Sequence, residues 1–307
     1  EKNKTFIIIL PGLGEAGKKE RYGLAKKFVT QKGWSSLILT APYYASRKPS
    51  YQASCPLTLA DQFLQTIVIY EEAALLAQHY IQSNPTNRVC ITGFSFGGGC
   101  SLGAASVALS GLGDKGGERL SVASYCPTVS YEGLLNNALN DRVNYEAFKS
   151  AEDKDLNETK EKLYKIMVDM KISNITQPLT KHVKPPRIAA ALHGAFNGDQ
   201  LVKPHSSIEF SESLQHGLPC YTPMATRWFP GGHCSAGIMR EIYQYDLVVE
   251  TVRNMDTIER SSSSIEDVDI VVETAPLKEK KKRKTFRSRL ATFRRNNRGQ
   301  KSRMRTN

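Results

Sequence analysis

Ser95 sits in Gly93-Phe94-Ser95-Phe96-Gly97, directly after the run Arg88-Val89-Cys90-Ile91-Thr92. A serine hydroxyl barely ionises at neutral pH, so it becomes a nucleophile only when held clear of its surroundings beside a base. A sharp turn between a strand and a helix does this, and flanking glycines admit its tight backbone. The base would be His233, which follows Arg227-Trp228-Phe229-Pro230 and the paired Gly231 and Gly232, a loop free to aim a ring. An acid is then needed to fix the imidazole tautomer. Asp199 fits, in the loop His193-Gly194-Ala195-Phe196-Asn197-Gly198-Asp199, although a solvated turn aspartate reads the same way. The chemistry is attack on a carbonyl, and the negative charge that develops needs backbone N–H donors. We assign this role to the amides of Leu13, in Pro11-Gly12-Leu13-Gly14, and of Phe96; a plain glycine turn is the alternative for the first. His193 is the rival base, since it too stands near a strand end, but it precedes the acid. His79 and His216 lie in helical stretches and are read as ordinary.

The elements that must position these residues are visible as patterns. Residues 5–10, 35–39 and 88–92 are short apolar runs typical of buried parallel strands. Between them, residues 20–31 and 59–81 repeat apolar side chains at helical spacing. Such alternation predicts a parallel sheet wrapped by helices. Residues 120–126, 187–192 and 221–229 predict further strands, and 236–252 a closing helix. The chain order Ser95, Asp199, His233 is the order used by the α/β-hydrolase fold. The expected architecture is therefore an α/β-hydrolase domain over 1–255, its mostly parallel sheet flanked by helices. Residues 128–185 are polar and charged, and are expected to form a helical cap, most helix-like over 140–170.

Composition narrows the setting. The formal net charge of +12 is not spread evenly: residues 278–307 hold 14 Lys and Arg against one acid. The rest has 28 basic and 29 acidic residues, a net of −1. Residues 256–307 are expected to be a disordered tail, basic from 278. Within it Phe286, Leu290 and Phe293 would share one face of a helix among cations, a form suited to an anionic membrane surface. A nuclear-localisation or nucleic-acid patch and a plain solvated tail are the other two readings. No stretch nears the roughly eighteen apolar residues of a membrane span. Cysteines 55, 90, 100, 126, 220 and 234 are scattered without a Cys-x-x-Cys pair, so free thiols are expected, with no metal and no cofactor. The chain begins at Glu1, almost in a strand, and is expected to lack its natural N-terminus and any targeting segment. An intracellular location is favoured, membrane-associated or mitochondrial sites included.

Several pieces belong to no generic hydrolase motif. Leu10-Pro11-Gly12-Leu13-Gly14, Ala41-Pro42-Tyr43-Tyr44-Ala45-Ser46-Arg47-Lys48-Pro49, Glu72-Ala73-Ala74-Leu75-Leu76 and Gly231-Gly232-His233 together resemble the α/β-hydrolase domain-containing protein 18 family. The likeness covers residues 5–110 and 186–250. It implies a serine hydrolase with Ser95, Asp199 and His233 as triad, acting on an acyl ester or lipid-like substrate. It also implies about a hundred further residues ahead of the first strand. Tyr44 and Arg47 leave a strand on the edge where open α/β sheets bind ligands. Arg47 could hold a phosphate or carboxylate there, or the loop could be fixed by aromatic packing and an internal ion pair. For the whole protein two alternatives stand: a catalytically silent hydrolase-fold binding or scaffold protein, and a thioesterase or peptidase using the same triad.

Overall fold

The first strand, β1 (Lys4–Leu10), buries Ile7, Ile8, Ile9 and Leu10 completely, so neither of its faces meets water. A strand covered on both sides needs a layer of helices on each, which is how parallel sheets occur. The structure, a computed structural model, describes residues 4–15, 19–50, 59–128, 145–149, 153–169, 187–199, 202, 204, 207–208, 211, 220–221 and 225–261. These belong to one compact unit, Glu1–Ser264; a second unit, Ile265–Asn307, lies outside the described residues. The expectations for the tail beyond residue 261, and for most of the 128–185 cap, lie outside the described residues too.

After β1 come α1 (Lys19–Lys27), a π turn (Phe28–Lys32), β2 (Ser35–Ile38) and a 3-10 turn (Ala45–Arg47). The long α2 (Leu59–Ser83), β3 (Asn87–Phe94), α3 (Phe96–Gly117) and β4 (Leu120–Tyr125) follow. Within the expected cap a 3-10 turn (Tyr145–Phe148) and α4 (Leu156–Asp169) are described. The chain then forms β5 (Ala190–Phe196), β6 (Ala225–Phe229), α5 (His233–Ile238) and α6 (Arg240–Ser261). The six strands lie in the order β2-β1-β3-β4-β5-β6, and every neighbouring pair is parallel.

The period-2 alternation of β1 divides the core. Ile8 and Leu10 pack with Ile69, Ala73 and Ala77 of α2 and Ala104, Ala105 and Ala108 of α3. Ile7 and Ile9 pack on the opposite face with Leu24 of α1 and Leu247, Val248 and Val252 of α6. Each such isoleucine contributes about 1.5–3 kcal/mol by leaving water. The small residues of α3 let it lie close to the sheet: a Cβ on Gly98 would stand 2.8 Å from the Tyr125 carbonyl oxygen. Among the described residues no helix is long and apolar enough to cross a membrane.

Three elements differ from their sequence expectation. β5 starts at Ala190 rather than Arg187, where its pairing with β4 begins, and runs on to Phe196 through its pairing with β6. β6 is described over Ala225–Phe229, residues 222–224 of the expected strand lying outside the described residues, and Ile188 and Cys220 make a separate bridge. The closing helix is two helices that meet at Met239, and the second continues to Ser261, beyond residue 255.

Candidate active site

β3 ends at Phe94 and α3 begins at Phe96, so Ser95 alone makes the turn, with φ at 56°. A non-glycine residue in this left-handed region costs on the order of 1–3 kcal/mol and persists only where its surroundings enforce it. Here the surroundings are backbone. A Cβ on Gly93 would lie 2.3 Å from the Gly97 carbonyl, and one on Gly97 would lie 2.5 Å from the Pro11 oxygen. Glycine at both positions thus lets the elbow close on itself and on the loop after β1. The Ser95 amide donates to the Tyr125 oxygen at 3.0 Å, and the Ser95 oxygen accepts from Thr128 at 3.0 Å.

His233 is the first residue of α5, and Tyr125 anchors that helix by donating its hydroxyl to the Ala236 oxygen at 3.0 Å. The imidazole packs beside Phe94, ring centroids 5.2 Å apart, with the Arg240 guanidinium over the same Phe94 ring. Asp199 follows the end of β5. Its loop is laced to that of His233 by the Gly198 amide, which donates to the Gly231 oxygen at 2.8 Å.

The structure brings the three side chains together. His233 Nε2 is 2.8 Å from Ser95 Oγ, and His233 Nδ1 is 2.9 Å from Asp199 Oδ2. Asp199 is 1% exposed, and its other oxygen, Oδ1, accepts the Val202 amide at 2.9 Å. Burial favours the protonated form of this carboxyl, but the bonds it receives from His233, Cys126 and the Val202 amide outweigh burial and hold its pKa below the ordinary aspartate value. The carboxylate can therefore stay ionised opposite the imidazole. His193 is placed elsewhere: it lies inside β5, in register with Ser124, and burial draws its pKa down to about 3.

The loop after β1 is held from both sides. The Gly12 amide donates to Glu15 Oε2 at 3.0 Å, and the Gly14 amide to the Tyr44 hydroxyl at 2.7 Å. The Leu13 amide lies between these two committed donors. Phe96 opens α3, where an amide has no acceptor within its own helix. Glu15 in turn binds Arg240 and faces Arg21 Nε at 3.3 Å, and both arginines are buried.

Tyr44 and Arg47, expected as substrate contacts, have other partners. Tyr44 is buried, and its hydroxyl supports Gly14. Arg47 makes a two-pronged bond to Glu72, at 2.7 and 2.8 Å, and donates to the Thr40 oxygen at 2.8 Å. The bond to Glu72 is also what raises the guanidinium pKa. An internal ion pair occupies Arg47, as the second of the two sequence readings has it.

Four neighbours of the site had no signal in the sequence. Glu15 and Arg240 meet only through the fold, and Thr128 Oγ1 lies 3.5 Å from Ser95 Oγ. The fourth is Cys126, whose Sγ is 2.9 Å from Asp199 Oδ2 and 3.4 Å from His233 Nδ1. Its ligand atom and those of Asp199 and His233 all lie within 4.8 Å of one another, a set that could hold a metal ion. Burial, then the Asp199 carboxylate, push the Cys126 thiol pKa up.

The family model for alpha/beta hydrolase domain containing 18 matches residues 1–177, more than half of the chain. The chain belongs to that family. The match takes in Leu13, Ser95, Phe96 and Cys126, whereas Asp199 and His233 lie beyond it. Membership supports a hydrolase activity. Among solved structures, acetyl xylan esterase 1 from Thermoanaerobacterium sp. is 17% identical with a TM-score of 0.50, covering 80% of this chain and 76% of that one. TT1662 from Thermus thermophilus is 15% identical with a TM-score of 0.51, covering 82% and 90%. At such identities the likeness is one of fold. No curated protein matches the chain.

Proposed function

We propose that the protein is a serine hydrolase that cleaves an acyl ester, lipid-like in its acyl part, through an acyl-enzyme on Ser95. The observation that carries this reading is the continuous contact from Ser95 Oγ to His233 Nε2 at 2.8 Å and from His233 Nδ1 to Asp199 Oδ2 at 2.9 Å. His233 takes the hydroxyl proton as Ser95 attacks the ester carbonyl. Asp199 holds the tautomer in which Nε2 is free to accept, and stabilises the imidazolium that forms. The oxyanion is received by the Leu13 and Phe96 amides, at the positive end of α3. His233 then protonates the leaving alcohol. In the second half it deprotonates a water that attacks the acyl-enzyme, and the proton returns to Ser95 as the acid departs.

Substituting Ser95→Ala is expected to abolish both hydrolysis of a p-nitrophenyl acyl ester and covalent labelling by a fluorophosphonate. Labelling that persists in the variant overturns the proposal. Absence of labelling in the unmodified protein favours the silent binding reading instead.

A further inference from the structure

We propose that Cys126 is a positioning residue of the Ser95–His233–Asp199 relay: its thiol donates to Asp199 Oδ2 and so sets how strongly that oxygen receives the His233 Nδ1 proton. The inference rests on the serine-hydrolase reading above and assigns a role to a group that the two-step mechanism leaves idle.

The geometry makes Oδ2 a shared acceptor. It stands 2.9 Å from Cys126 Sγ and 2.9 Å from His233 Nδ1. Two donors on one oxygen compete, since each draws on the same electron density. A thiol is a weak donor, so it can temper the imidazole bond without displacing it. Its raised pKa keeps the proton on sulfur at neutral pH.

Cys126 is also held in place by backbone. It is 1% exposed, adopts φ at 48°, and its amide donates to the Gly194 oxygen at 2.7 Å. A positive φ on a residue other than glycine is unfavourable, and this one turns the chain directly after β4. The same turn reaches the nucleophile, because Thr128 donates its amide to the Ser95 oxygen and sets its hydroxyl 3.5 Å from Ser95 Oγ. One three-residue segment, Cys126-Pro127-Thr128, therefore contacts the relay at the acid and at the serine.

Among the described residues, the ionisable groups around the relay include Asp199 after β5, His233 on α5, Cys126 and Tyr125 at the end of β4, and Arg240 and Tyr243 on α6. Cys126 and His233 both meet Asp199 through hydrogen-bonding side chains. Substitution at 126 thus changes this one donor to Asp199 and leaves the His233 contact in place.

The test uses the full chain in three forms: unmodified, Cys126→Ser and Cys126→Ala. Fluorophosphonate labelling rates are measured against pH, and the low-field proton resonance of the His233–Asp199 bond is recorded by NMR. In Cys126→Ala the competing donor is gone. The resonance is expected to move downfield, and the acid limb of the labelling profile to shift to higher pH by about half a unit. In Cys126→Ser a stronger donor replaces a weak one, and both shifts are expected in the opposite direction. Should the alanine variant fail to fold, the serine variant against the unmodified protein carries the comparison. An unchanged resonance and limb in the folded variants overturns the role of Cys126 and leaves the serine-hydrolase reading intact. An unmodified protein that does not label at Ser95 overturns that reading, and this inference with it.

Discussion

Glu15 binds Arg240 across 225 residues of sequence, and through this bond the last helix of the described fold braces the loop that carries Leu13. The carboxylate also faces Arg21, so one acid serves two arginines that are 1% and 4% exposed. Removing a partner from buried charges is far more costly than never having placed them there. Glu15→Ala is expected to lower the unfolding free energy by about 3–5 kcal/mol, read from the urea midpoint. Glu15→Gln, which keeps an acceptor for the Gly12 amide, is expected to lose less. A midpoint unchanged in the alanine variant would refute the brace.

Arg47 leads to the opposite expectation. Its ion pair with Glu72 is one-third open to solvent on both sides, where such pairs contribute about 0.2–1 kcal/mol. Arg47→Ala should therefore cost little stability. Because the guanidinium is already spent on Glu72 and the Thr40 oxygen, KM for an anionic p-nitrophenyl ester should match KM for a neutral one as closely as in the unmodified protein. A rise in KM confined to the anionic ester would return Arg47 to the substrate site.

His193 gives the fold a pH dependence of its own. Burial lowers its pKa from 6.5 to about 3, so the native state keeps it neutral where the unfolded chain protonates it. Between those values the unfolded state binds more protons, and stability falls as pH falls. The contribution is whole above pH 6.5 and is lost progressively toward pH 3. From pH 7 to pH 5 the loss is about 2 kcal/mol. Denaturant unfolding at both pH values should show it, and His193→Leu should be markedly flatter. Equal slopes in the two proteins would contradict this account.

The parts of the site that were legible in the sequence are those whose backbone is unusual. Gly93 and Gly97 announce the elbow because no side chain fits where they stand, and Gly231 announces the loop of His233 through a φ of 99°. The strand runs were readable for a related reason: a strand buried on both faces is apolar throughout. Asp199 and His233 were reached through their order along the chain. For Tyr44 and Arg47, nothing local reveals that the Gly14 amide or Glu72 comes into reach. Cys126 and Glu15 were invisible for the same reason. Their contacts cross from β4 to the β5 loop and from the first loop to the last helix, and only the assembled sheet brings those segments together. His193, the rival base, stands in a strand interior because β5 extends to Phe196, which a local reading shows only as a strand end.

The sheet order has a consequence for the protein as it is made. Ser95 follows β3, and its imidazole partner comes 138 residues later, past β5 and β6. A ribosome-bound chain that stops anywhere short of His233 carries the hydroxyl without the group that would deprotonate it. On the serine-hydrolase reading, a chain truncated before His233 lacks its general base and cannot act on esters. On that reading, reaction with an active-site probe reports the molecules in which Ser95 and His233 have been brought together.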